Sequence, residues 1–96
     1  MSSIRKGNNY SNIATNTTST LKTGTGTLKR IIVNKAVASG VITIYDNTSA
    51  TGTKIATITH PATLLQTNYF LEFDVYFSTG LTVVTSSTDD ITVVYV

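Results

Sequence analysis

His60 is the single histidine of a 96-residue chain that has no cysteine. Proton-transfer or metal chemistry must therefore involve it or the five carboxylates, Asp46, Glu72, Asp74, Asp89 and Asp90. His60 stands directly before Pro61 with no acidic residue near it in sequence, and a catalytic triad or zinc site needs partners that the neighbouring positions do not offer. It reads as a turn or surface residue. Glu72 and Asp74 are two positions apart; on a strand they share a face roughly 7 Å apart, a spacing compatible with a glycosidase pair. Acids on the open side of a strand more often pair with cations across it, and Lys29, Arg30 and Lys35 are candidates. Asp89-Asp90 and Asp46-Asn47 could lend oxygens to calcium, but that ion takes six to eight and no EF-hand spacing is present. Turn chemistry explains both pairs, because Asp and Asn side chains bond nearby backbone.

Lys22-Thr23-Gly24-Thr25-Gly26-Thr27 looks like a phosphate-cradling loop only in its glycines. It lacks the Gly-Lys-Ser/Thr ending and no helix follows for an anion to cap, so it reads as a turn or bulge. Tyr10, Tyr45, Tyr69, Tyr76, Tyr95 and Phe70 could stack on sugars. Of these, Tyr45, Phe70 and Tyr76 fall on outward faces and form a candidate sugar or interface platform. Glycosylation-type triplets begin at Asn9, Asn16 and Asn47 and follow from the Asn, Ser and Thr content.

The stretch that must position these groups is Tyr69–Phe77. Tyr69, Leu71, Phe73, Val75 and Phe77 alternate with Phe70, Glu72, Asp74 and Tyr76, a period of two with one apolar face and one wet face. This makes it the expected central strand. Upstream, residues 28–38 are a β-branched run with Ile31, Val33 and Val37 on one face. Ser39-Gly40 then leads into residues 41–46, which carry Ile42 and Ile44; a short Gly-containing link predicts a hairpin. Residues 53–60 form a further strand that Pro61 ends. Residues 62–68 form a loop or helical turn with Leu64 and Leu65 tucked in, long enough to cross between sheets. After Tyr69–Phe77, Ser78-Thr79-Gly80 predicts a hairpin to residues 81–85, and residues 91–96 place Ile91, Val93 and Tyr95 on one face. Residues 13–21 add a Thr-rich edge strand. Seven or eight strands without an amphipathic helix predict an all-β antiparallel sandwich of Greek-key or jelly-roll type.

Residues 1–12 are polar and aperiodic, and predict a flexible arm ahead of a single domain over 13–96. A chain of this size buries roughly 60% of its unfolded surface on folding, and without disulfides it must rely on packing or association. Homo-oligomerisation is expected. Charged residues make up 12% and the net charge is +2, with a pI near 9.0. That margin is too small for a nucleic-acid footprint. No window approaches 18 consecutive apolar residues, and the N-terminus lacks the apolar run of a signal peptide, so neither a membrane span nor standard export is expected.

Four blocks carry a resemblance: Leu-Lys-Arg-Ile-Ile-Val-Asn at 28–34, Gly-Val-Ile-Thr-Ile-Tyr-Asp-Asn-Thr at 40–48, Gly-Thr-Lys-Ile-Ala-Thr-Ile at 52–58 and Phe-Ser-Thr-Gly-Leu-Thr-Val-Val at 77–84. Over roughly residues 20–96 the chain resembles small structural proteins of tailed bacteriophages and related prophages. The resemblance implies a β-sandwich virion protein of the capsid decoration or cement type, often a trimer that locks neighbouring major capsid subunits. It carries over no catalytic, cofactor or metal residues. Ile4, Arg5, Lys6 and Tyr10 of the arm, with Tyr45, Phe70 and Tyr76, are the expected interface residues. Removing residues 1–12 is expected to leave a folded domain that no longer binds capsids. The alternatives are a receptor- or glycan-binding module of a tail or fibre, and a head-tail or tail component assembling in rings.

Overall fold

A computed structural model describes residues 8–96. Eight strands run in chain order: β1 (Asn9–Ile13), β2 (Thr17–Thr23), β3 (Gly26–Lys35), β4 (Val41–Tyr45), β5 (Lys54–Thr59), β6 (Tyr69–Phe77), β7 (Gly80–Thr85) and β8 (Asp90–Tyr95). They form two four-stranded antiparallel sheets, β1-β8-β3-β6 and β2-β7-β4-β5. The pairing is nested: β1 with β8, β2 with β7, β3 with β6 and β4 with β5. Four strands thus go out and four return, and the ribbon rolls until β3 lies beside β8 and β4 beside β7. This winding is a jelly roll.

β4 to β5 is the only pair of consecutive strands, among the described residues, that share a sheet. The hairpins expected at Ser39-Gly40 and at Ser78-Thr79-Gly80 are instead crossovers between sheets. A short glycine-containing link is compatible with either, and the side chains decide: Ile31 and Val33 on β3 and Ile42 and Ile44 on β4 are all fully buried, as facing layers of a core require. The crossing expected over 62–68 is present. Leu65 at its tip is 96% exposed rather than tucked in, whereas Leu64 is half-buried.

The inner faces meet in a core of Leu28, Ile31, Val33, Phe77, Ile91 and Val93 against Ile42, Ile44, Leu81 and Val83, with Ile13 and Ala36 at its rim. At about 25 cal/mol per Å² of apolar area removed from water, this layer is the main favourable term in folding. Tyr69–Phe77 is a strand with the expected alternation, but it lies at the edge of its sheet and pairs with β3 alone. Phe77 is fully buried, and Tyr69, Leu71, Phe73 and Val75 are half-buried. Period two reports which face is dry, and it is the same for edge and centre.

A bulge corrects the expected face of β3. Leu28 opposes Tyr95 and Arg30 opposes Val94, so Lys29 is an extra residue against β8. On the other side Val75 and Glu72 pair with the same two residues, leaving Phe73 and Asp74 opposite Lys29. The shift lets Leu28 join Ile31 in the core despite the change of parity. Val37 lies beyond the end of β3 and Ala36 takes the buried place.

Of the segment 1–12 read as an arm, residues 1–7, with Ile4, Arg5 and Lys6, lie outside the described residues. Asn9 to Asn12 belong to β1, where Asn12 Nδ2 donates to Asp90 Oδ1 (2.8 Å) and to the Ile91 carbonyl (2.9 Å). Removing residues 1–12 would therefore strip an edge strand from β8, so the separable segment ends before β1. The strand expected over 13–21 is interrupted at residues 14–16, where the chain leaves one sheet for the other.

Candidate functional site

His60 is the residue whose place differs most from expectation. It directly follows β5, and its backbone is fixed by an N–H donated to the Gly40 carbonyl (2.9 Å). Its ring is 4% exposed between two partners that sequence proximity did not offer. Nε2 lies 2.6 Å from the Tyr69 hydroxyl at the start of β6. Nδ1 faces Asp89 Oδ2 at 3.4 Å, at an angle too poor for a hydrogen bond, so both atoms are buried without a hydrogen-bonding partner. The other Asp89 oxygen accepts the Val37 N–H. Asp89, fully buried, is thus a core residue rather than a turn former. Gly40 permits this closeness, since a Cβ there would stand 2.6 Å from Asp89 Oδ2.

Phenol, imidazole and carboxylate in series have the order of a nucleophile, a base and an orienting group. Their electrostatics point elsewhere. Burial, and then the charge of Asp89, push the Tyr69 phenol above its ordinary range, opposite to the activation that a nucleophile needs. A phenol that keeps its proton can donate it to Nε2. The series then acts as a clasp on the crossovers at one end of the sandwich, joining the end of β5, the start of β6, the link from β3 to β4 through Val37, and the link from β7 to β8. Ser39, at φ 63°, donates its N–H to the Pro61 carbonyl in the same cluster (3.1 Å). Beside it, Pro61, Leu64, Leu65 and Tyr69 line a cavity of about 220 Å³.

The carboxylates fall into place one by one. Glu72 pairs with Arg30, and Asp74 with Lys29 at 3.2 Å. The cross-strand cation reading therefore holds, and the Glu72 contact raises the Arg30 guanidinium. Lys35 is in register with Asp90. Asp46 does not serve its own turn: its oxygens accept from the backbone of Ser78 (3.0 Å), Thr79 (2.8 Å) and Gly80 (3.4 Å) across the sandwich. Bonds from Ser78 and then Thr79 hold its carboxyl below the usual range. Asn47 does close its own turn, accepting from Thr48 N–H (2.8 Å) and donating to the Thr51 carbonyl (2.8 Å). Among the described residues no group of three or more His, Cys, Asp or Glu could hold a metal ion, and no helix is long and apolar enough to cross a membrane.

Of the four expected interface residues that are described, the structure places three on one face, at its two edge strands, and the fourth on the other sheet. Tyr10, Phe70 and Tyr76, which are 72%, 62% and 64% exposed, all lie on the outer face of β1-β8-β3-β6. Tyr45 is half-buried on β4 in the other sheet, so Tyr45, Phe70 and Tyr76 do not form one platform. The outer face itself has two ends. At one, Tyr76 pairs with Thr27, which is bonded to Val96, whereas Tyr10 on the opposite edge strand is level with Val94, Arg30 and Glu72 in the middle of the face. At the other, Phe70 pairs with Ile32, and a groove of about 310 Å³ opens between Ile32, Val33 and Asn34 on β3 and Asn68, Tyr69 and Phe70. Phe70 and Tyr76 are six residues apart on one strand, about 20 Å. The Lys29–Asp74 and Arg30–Glu72 pairs lie between them.

Asn34 and Asn68 were not singled out from the sequence, and Asp90 was read there as a turn former. The available signal was the even-numbered outward set of β3, which continues from Ile32 to Asn34. No protein-family model, no curated protein and no solved structure matches the chain.

Proposed function

We propose that the chain is a non-enzymatic structural protein of a phage virion, a capsid decoration or cement protein that binds and stabilises the shell of the major capsid protein. It acts as a homo-oligomer, with a trimer favoured. The observation that carries the reading is the set of exposed aromatic side chains on the outer face of β1-β8-β3-β6. There Tyr10 and Tyr76 are more than half exposed, and Val96 is 46% exposed. Aromatic side chains held on strands bury large areas at small entropic cost, and they are enriched at the centres of protein interfaces. Residues 1–7, with Ile4, Arg5 and Lys6, lead directly into β1 and belong to the same contact in this proposal. A stable interface needs about 800 Å² from each partner, within reach of such a face plus a short segment.

Double-sheet jelly rolls occur in viral capsid domains and also in lectins and cupins. The frame is therefore compatible with the reading, and the exposed face carries its weight. Imaging purified virions with the protein labelled is the test. Label at regular positions over the shell is expected; label confined to the tail or to the head-tail junction would favour the ring-forming alternative and overturn the proposal.

A further inference from the structure

At the end of the outer face opposite Tyr76, a carboxylate fixes amides on two flanking strands, and one of these amides faces an exposed aromatic ring across a groove. Asp90 Oδ1 accepts from two flanking strands, from Asn12 Nδ2 on β1 (2.8 Å) and from Asn34 Nδ2 on β3 (3.2 Å). Asn34 Nδ2 also donates to Thr92 Oγ1 (3.0 Å). With its NH2 committed to two acceptors, the Asn34 amide has one orientation, and its Oδ1 is left as an outward acceptor. Asp90 Oδ2 and the Asn68 side chain have no hydrogen-bond partner among the described residues, and Asn68 is exposed. Asn34 and Asn68 line the groove of about 310 Å³ whose far wall is Phe70, 62% exposed, and Asp90 on β8 holds the Asn34 amide from behind.

We propose that this groove is a saccharide-binding site, with Phe70 stacking against the C–H face of a neutral sugar and Asn34 and Asn68 reading its hydroxyls. A pyranose presents one apolar face and a rim of hydroxyls, each both donor and acceptor. It therefore needs an aromatic wall next to mixed acceptors and donors. A peptide side chain would use only one of the two walls. The volume lies at the small end for ligand sites and fits one or two sugar rings. Asn34 sits on β3 tied to Asp90 and Thr92, and Phe70 sits on β6, so little ordering entropy is lost on binding at these two groups.

The site is about 20 Å from Tyr76 along β6, so it stands independently of the shell-binding proposal. Saturation-transfer NMR on the full chain, with a panel of neutral hexoses, N-acetylhexosamines and their disaccharides, tests it. At least one sugar is expected to bind, with affinity reduced about tenfold or more in Phe70→Ala and in Asn34→Ala. It should be unchanged in Tyr45→Ala and in Tyr10→Ala/Tyr76→Ala. Phe70 is exposed, so its truncation leaves the core intact, and a thermal melt verifies this. No transfer to any sugar, or transfer that Phe70→Ala leaves unchanged, overturns the proposal; either outcome leaves shell binding, which is read on particles, as it was.

Discussion

His60 Nδ1 and Asp89 Oδ2 stand 3.4 Å apart on side chains that are 4% and 0% exposed. This pair and the Tyr69 hydroxyl are the polar element to which the crossovers at one end are tied. Removing one member leaves its partner and the Val37 N–H buried without compensation. Asp89→Ala should therefore cost about 3 kcal/mol, and a cycle with His60→Ala should show coupling above about 1 kcal/mol. Urea unfolding measures both, and a loss below about 0.5 kcal/mol would place the pair outside the stabilising network.

Gly40 is required by closeness rather than by backbone conformation. A Cβ would stand 2.6 Å and 2.9 Å from the two Asp89 oxygens, so Gly40→Ala should destabilise by about 2 kcal/mol. In an Asp89→Ala background the same substitution should cost far less. Equal cost in both backgrounds would mean that the methyl clashes with something other than the carboxylate.

Asp46 couples the fold to pH. Its carboxyl is held below the ordinary range by the Ser78 and Thr79 N–H groups. Its contribution is therefore fully present above the unfolded value and is lost as pH falls through the lower folded value. At neutral pH Asp46→Asn should be less stable by about 1 kcal/mol, a figure discounted because water reaches the carboxylate. The gap should close as pH falls below about 4. Thermal melts of both proteins across that range measure it, and a gap independent of pH would contradict the assignment.

Asp74 sits at φ 56° within β6, a conformation that Asp tolerates better than most residues. Its ion pair with Lys29 is exposed, 34% and 75% on the two side chains, and is worth little. Asp74→Gly should therefore be neutral to within about 0.5 kcal/mol, whereas Asp74→Val should cost about 1–2 kcal/mol through the backbone. If Asp74→Gly costs as much as Asp74→Val, the charge matters and the dihedral does not.

The all-β class, the antiparallel sandwich and the inward sets of β4, β6 and β8 were legible in the sequence because period two is a local property. Sheet membership was not. Gly40 and Gly80 mark changes of direction whether the chain folds back beside itself or crosses to the facing sheet, and only the partner of the next strand tells the two apart. The bulge at Lys29 hid the place of Leu28 in the core for a related reason, since it exists only in the register against β8. His60 was misplaced because Asp89 and Tyr69 reach it through the winding of the roll. Adjacency in sequence is a poor guide where every link but one changes sheets.

The outward face of β1-β8-β3-β6 was legible one strand at a time, through Tyr10, Phe70 and Tyr76. The amide-carboxylate cluster at one end of it was not, because it depends on β1, β8 and β3 lying side by side.

The proposed role rests on the exposed aromatic side chains of that face. The direct measurement is occupancy of purified, undecorated shells by the wild-type chain and by Tyr10→Ala/Tyr76→Ala, both verified as folded. The account predicts that the double variant needs about tenfold more protein or worse to reach the same occupancy; equal occupancy at equal concentration would contradict it.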